Sequence, residues 1–175
     1  MKTKVKFIDK KAVWNRIVEN FGDMADLHVV VGVPQSSADR TGDDDFATMA
    51  EVAFFNEFGT EDIPERSFLR STVDENNPKY TRLYKQLMGK VFDQKTTVKK
   101  AFGLLGEKAK ADVQRKIRSG VEPANAPATI ERKGSSKTLV GGNKKKGYPG
   151  GQLLKSITYE VRDGNWRDEK GKTKT

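Results

Sequence analysis

Two stretches with β character stand near opposite ends of the chain, and what lies between them reads as helix, turn and irregular loop. Leu27 to Val33 (L-H-V-V-V-G-V) carries four valines and is almost continuously apolar. That is the pattern of a strand covered on both faces or central to its sheet. Pro34 stops it, because proline has no N–H to give a ladder hydrogen bond. Within Gln152 to Arg162, Ile157, Tyr159 and Val161 alternate with Thr158, Glu160 and Arg162, the period-two signature of a half-exposed strand. The pattern predicts that this strand pairs with the 27–33 strand, giving a sheet closed by segments far apart in sequence. A shorter alternation, Val5 and Phe7 among lysines, reads as an edge strand, where lysine discourages mispairing.

The helices follow from period and punctuation. Asp9 is placed to cap a helix whose stripe is Val13, Ile17, Val18 and Phe21, with Trp14 beside it and Gly22 as its stop. Ala50 to Thr72 predicts a corner. Ala50, Ala53, Phe54 and Phe58 form one apolar face, and Gly59 stands where a helix end calls for positive φ. Pro64 then suits the first turn of a second helix whose apolar side is Phe68 and Leu69. Phe54, Phe58 and Phe68 are assigned to the core.

Asn77-Pro78 predicts a break, after which Tyr80, Leu83, Tyr84, Leu87, Met88 and Val91 give a helical stripe. Asp93 to Thr97 is a short link. Val98, Ala101, Phe102, Leu105, Ala109, Val113 and Ile117 mark the longest helix, about five to six turns. Gly103 and Gly106 lie off its stripe, where they weaken the helix and permit close packing.

From Gly120 to Gly151, glycines and Pro123, Pro127 and Pro149 punctuate a stretch with little periodicity. A run of this length reads as an irregular arm. It contains the basic cluster Lys144-Lys145-Lys146, and its glycines do not match the spacing of a phosphate-binding loop. The last residues, 163–175, are charged and nearly devoid of apolar side chains apart from Trp166. Such a tail does not fold alone, and a neighbouring subunit is its expected holder. The organisation is thus a single α+β (mixed α/β) domain over 1–162, with an extended arm at about 120–151, followed by a charged C-terminal tail at 163–175.

Charge is uneven. The chain carries +9 overall; residues 1–60 hold 7 Lys+Arg against 10 Asp+Glu, whereas residues 129–175 hold 12 against 5. A basic C-terminal third suits an acidic partner, nucleic acid or protein.

Catalytic and metal chemistry find little to work with. There is no cysteine, hence no thiolate and no disulfide framework, and a cytosolic origin is the simpler expectation. His28 is the one histidine, and zinc wants three or four ligands. Asp43-Asp44-Asp45 lacks the alternate spacing of a calcium loop and reads as helix-capping acids. Glu57 with Glu61 or Asp62 stands near Arg66, which favours an ion pair or cap over acid–base work. The expectation is a non-enzyme without metal or cofactor. No apolar run is long enough to span a bilayer, and the basic start lacks the apolar stretch of a signal peptide, so no membrane partner is expected.

Three local patterns, in this order, resemble the tailed-phage virion-morphogenesis or tail-completion proteins, the neck (head–tail joining) family of long-tailed phages and Mu-like prophages. They are V-V-V-G-V at Val29–Val33, ahead of a polar loop; N-E-F-G-T at Asn56–Thr60 followed by I-P-E-R-S-F-L-R at Ile63–Arg70; and A-P-A-T-I-E-R-K-G-S-S-K-T-L-V at Ala126–Val140 followed by G-Q-L-L-K-S-I-T-Y-E-V at Gly151–Val161. The family tends to pass from the leucine through an Asp-Thr-Gly turn into the last strand. Here Gly141 to Gly150 intervenes, so the shape of that loop does not carry over.

The resemblance implies an α+β subunit with a small, mainly antiparallel sheet packed by several helices. It implies a structural virion protein that completes the tail or joins it to the head as an oligomeric ring, with a hexamer among the stoichiometries left open. The implied partners are further copies of the chain, other phage neck and tail-tube proteins, and DNA passing through the lumen, at most non-specifically. The implied location is the virion tail or neck, assembled in the host cytoplasm. The candidate subunit contacts are the charges at the corner, Glu57, Glu61, Arg66 and Arg70, with Lys144, Lys145, Lys146 and Trp166. The alternative reading is a basic nucleic-acid-binding protein using the C-terminal third.

Overall fold

The computed structural model of the chain describes residues 11–34, 48–140 and 150–164. In chain order these form α1 (Lys11–Asp26), β1 (Leu27–Gly32), α2 (Met49–Phe58), α3 (Arg70–Phe92), α4 (Val98–Ser119), α5 (Pro127–Lys133), α6 (Gln152–Ser156) and β2 (Thr158–Asp163). The expected edge strand at Val5 and Phe7, the Asp43–Asp45 run, Lys144 to Lys146 and Trp166 lie outside the described residues.

The two distant β stretches pair as expected. β1 and β2 are antiparallel, with Leu27 opposite Asp163, Val29 opposite Val161, Val31 opposite Tyr159 and Gly32 opposite Thr158. The fold is α+β, helices packed on a small antiparallel sheet. Among the described residues no further strand flanks β1, and each of its residues is only half-buried. Its valine run therefore does not mark a strand covered on both faces. Leu27 and Val29 pack against one apolar cluster and Val31 and Val33 against the other, which is enough to account for their side-chain type.

α4 is the spine. Its 22 residues span about 33 Å, long enough to serve both clusters. Near its N-terminus Val98, Ala101 and Phe102 join Leu87, Met88 and Val91 of α3. Near its C-terminus Val113 and Ile117 join Ala53, Phe68, Val121, Leu153 and Ile157. Between them the Tyr159 ring lies on Gly106 so closely that a Cβ there would stand 2.3 Å from Cδ2 of the ring. The close packing that the glycines permit is thus made by a strand's aromatic ring.

Three boundaries differ from expectation. α1 continues through Gly22 to Asp26, because Met24 still has the cluster around Val91 and Val98 to pack against. Pro64 does not open a helix; it lies in an irregular link, and α3 begins only at Arg70. Asn77-Pro78 does not break the chain, and Pro78 sits inside α3. Pro78 is exposed, so the lost hydrogen bond faces solvent, while Thr72 upstream and Leu87, Met88 and Val91 downstream are buried and hold both halves in one helix.

The stretch expected as an extended arm folds back in its first part. α5 lies within it, closed by Gly134 in the left-handed conformation at φ 64. The Val121 N–H donates to Thr138 Oγ1 at 3.2 Å, Asn125 Nδ2 donates to the Lys137 carbonyl at 3.3 Å, and Leu139 and Val140 pack against the cluster around Val113 and Ile117.

Candidate interaction site

The corner between α2 and α3 is built around one buried carboxylate. α2 starts at a capping box. Thr48 Oγ1 accepts from Glu51 N at 3.2 Å, and Glu51 Oε2 accepts from Thr48 N at 2.7 Å. The pattern T-x-x-E is visible in the sequence and fixes the helix start better than the acids at 43–45. α2 ends at Gly59, φ 77, where a Cβ would meet Glu65 N at 2.9 Å and the Ile63 carbonyl at 3.0 Å.

Glu57, expected among exposed contact charges, is 3% exposed. Its carboxylate accepts from Ser67 Oγ, Phe68 N and Leu69 N, each at 2.8 Å, from Arg70 N at 2.9 Å and from Arg70 Nε at 3.1 Å. The Leu69 and Arg70 N–H groups are orphan donors at the start of α3, the Phe68 N–H immediately precedes them, and Leu69, the capping residue, offers no side-chain acceptor. Glu57 fills that role from another helix. Burial pushes its carboxyl up, but the Leu69 and Arg70 N–H groups, the Ser67 hydroxyl and the Phe68 N–H outweigh burial and hold it below its ordinary 4.5.

Arg66 is also buried, contrary to expectation. Its backbone N–H donates to the Asn56 carbonyl at 2.7 Å, Nε to the Pro123 carbonyl at 2.8 Å and a terminal nitrogen to the Ala124 carbonyl at 3.3 Å. Burial lowers its affinity for the proton, and Glu122 opposes that shift. Arg66 thus fastens the chain after α4 to the corner.

Facing Glu57 inward sets the rotation of α2. Met49, Ala53 and Glu57 form the buried row. Phe54 and Phe58, expected in the core, are 57% and 51% exposed. Their rings stand 4.8 Å apart, and the Arg70 guanidinium lies 4.7 Å over Phe58. Arg70 donates to Glu65 Oε1 at 2.6 Å and to the Glu57 carbonyl at 2.9 Å, and its bonds to Glu57 and Glu65 raise its pKa. Glu61 is exposed on the link. The corner therefore presents an aromatic pair, with a cation over the Phe58 ring, on a frame fixed from beneath. Of the four expected contact charges, Arg70 and Glu61 are exposed.

A second apolar surface lies on α1, where Val13, Trp14, Val18 and Phe21 are exposed and Phe21 meets Phe92 at 5.3 Å. Asp112 on α4 is buried and accepts from Lys108 Nζ at 2.8 Å and from Arg115. Burial together with Asp112 pushes the Tyr80 hydroxyl up to about 12. Lys133 is lowered by burial and by its neighbours Arg66 and Arg132.

Among the described residues no group of three His, Cys, Asp or Glu side chains is placed to hold a metal. The carboxylate that sequence places nearest to acid–base chemistry, Glu57, has its oxygens filled by five donors. Among these residues, no helix is long and apolar enough to cross a membrane. No protein-family model, curated protein or solved structure matches this chain.

Proposed function

We propose that the chain is a structural subunit of a tailed-phage neck, completing the tail or joining it to the head as a homo-oligomeric ring. One observation carries this reading. The corner that bears the most recognisable of the three sequence patterns uses Glu57 and Arg66 for internal fastening and turns Phe54 and Phe58 outward, with Arg70 over the Phe58 ring. Aromatic residues and arginine on a rigid frame are the residue types that anchor protein interfaces. The three patterns also meet in space. Val31 and Val33, then Phe68 and Leu69, then Leu139, Val140, Leu153 and Ile157 share one apolar cluster, so the resemblance falls on a single structural unit. The ring contact in this reading is made by Phe54, Phe58, Arg70 and Glu61.

Negative-stain microscopy of the purified protein, and of particles made without it, tests the proposal. Rings, and separate DNA-filled heads and free tails in the absence of the protein, are expected. A protein that stays monomeric at high concentration, with normal particles formed in its absence, would falsify it.

A second reading, nucleic-acid binding, is favoured by Arg132 and Lys133 in the last turn of α5, together with the excess of 12 Lys+Arg over 5 Asp+Glu in residues 129–175. It predicts duplex affinity that falls steeply between two salt concentrations. Weak binding with a shallow slope leaves the structural reading alone.

A further inference from the structure

The outer edge of β2 is open, and its sequence is complementary to itself. The Gly164 N–H donates to the Asp26 carbonyl at 3.0 Å, in line with the β1–β2 register. Hydrogen-bonded and non-hydrogen-bonded pairs alternate along an antiparallel ladder. His28 with Arg162 and Val30 with Glu160 are therefore the bonded pairs, and the N–H and C=O groups of Tyr159, Val161 and Asp163 point away from β1. Among the described residues none of these groups has a partner, and no strand flanks β2 on that side. The edge also lacks common devices against pairing. T-Y-E-V-R-D contains no proline and no lysine, and its register with β1 runs without a bulge.

We propose that a second copy of the chain adds its β2 to this edge, antiparallel, about a two-fold axis at Val161. The joined sheet then has the order β1-β2-β2-β1. The inference rests on the sheet edge and not on the neck reading.

Charge selects both the occupant and the register. Outward-pointing residues must meet outward-pointing residues, so within the strand the axis can fall at Glu160, Val161 or Arg162. At Glu160 it sets that residue against its own copy, and at Arg162 arginine against arginine; like charges directly opposite are destabilising. At Val161 it sets Glu160 opposite the partner's Arg162 and Arg162 opposite the partner's Glu160. The Tyr159 ring lies on Gly106 of α4, so Glu160 and Arg162 stand on the other face of the sheet. There Arg162 already donates to Glu160 Oε2 at 2.8 Å, and the two side chains are 49% and 35% exposed. Pairing closes them into a square of alternating charges. The β1 edge offers no such match, because His28, Val30 and Gly32 stand in the corresponding positions. The helices are compatible with the pairing. α4 packs on both strands, so two copies of it lie on one face of the joined sheet. Two strand spacings separate them by roughly 10 Å, the distance between packed helices.

Two measurements on the full chain test this. The chain has no native cysteine. Glu160→Cys and Arg162→Cys proteins, mixed and oxidised, are expected to cross-link to each other at least about ten-fold faster than either does to itself. In this register the two positions are directly opposed and not hydrogen-bonded, whereas each lies diagonal to its own copy. Faster self-cross-linking of either variant would move the axis to that residue, and equal rates in all mixtures would mark random collision. Either result, or no cross-link, overturns the proposal and leaves the neck reading to its own test by microscopy. The second measurement is amide hydrogen exchange on the unaltered protein. From dilute to concentrated solution, the Tyr159, Val161 and Asp163 N–H groups are expected to slow by about ten-fold or more, while those of Leu27, Val29 and Val31 keep their rates. Slowing at β1 in place of β2, equal slowing at both, or none overturns the proposal.

Discussion

Glu57 is an acid that the fold treats as a core residue. Truncating it to alanine leaves the Phe68, Leu69 and Arg70 N–H groups without their acceptor, and the predicted cost is about 2–4 kcal/mol, read from urea denaturation. Glu57→Gln keeps the shape and loses the charge, so a smaller loss is expected. The pH dependence has a definite sign. The folded carboxyl is held below 4.5, so its contribution is fully present above the unfolded value and is lost as pH falls through the folded one. The acid limb of the stability curve should flatten in Glu57→Gln; an unchanged limb would remove the charge from the argument. Its role as a cap and ion-pair partner was legible in the sequence, but its burial was not, nor that the arginine would be Arg70 and not Arg66. Helical period sends Phe54 and Phe58 inward and a glutamate outward, and only the third dimension shows donors waiting 10 to 13 residues further on. One hydrogen-bond network thereby turned the buried face of α2 aside from the expected one, keeping Ala53 inside and moving Phe54 and Phe58 out.

At the scale of elements the sequence was more informative, because packing and period act together there. The α4 stripe, its link from α3 and the pairing of two strands at opposite ends of the chain were all readable from apolar spacing. Proline was misread twice, since its local preference yields when flanking turns are held by tertiary contacts. That misreading makes a prediction. Pro78→Ala restores a helix N–H at an exposed position, and a gain of about 1–3 kcal/mol in thermal unfolding is expected. The two α4 glycines separate propensity from packing. At Gly103 the nearest atom to an added Cβ is the Tyr159 hydroxyl at 3.8 Å, an ordinary contact, so Gly103→Ala should stabilise by up to about 1 kcal/mol. At Gly106 the same methyl meets the body of the Tyr159 ring, with contacts of 2.3, 2.8 and 3.0 Å. Gly106→Ala should destabilise by about 1–3 kcal/mol despite its better helix propensity. Equal effects at the two sites, in denaturant titrations run side by side, would mean that the ring gives way and does not hold the sheet to α4.

At the scale of the whole molecule, the two exposed apolar surfaces belong to opposite ends of α4. Phe54 and Phe58 stand on the helix that supplies Ala53 to the cluster around Val113 and Ile117, whereas α1 supplies Met24 to the cluster around Val98 and Phe102. A ring built from head-to-tail contacts uses two different surfaces on every subunit, and the placement allows these surfaces to be tested independently. Phe54→Glu replaces an exposed ring without touching the buried row Met49, Ala53 and Glu57, so the fold should survive. If the corner anchors the subunit contact, association should weaken by at least about 30-fold, seen as a fall in mass by light scattering at fixed concentration. Val18→Glu on α1, away from the corner, should leave the mass unchanged. The opposite pattern, with Val18→Glu dissolving the assembly and Phe54→Glu sparing it, would move the subunit contact to α1. Loss of mass in both would make each surface one side of the same head-to-tail joint.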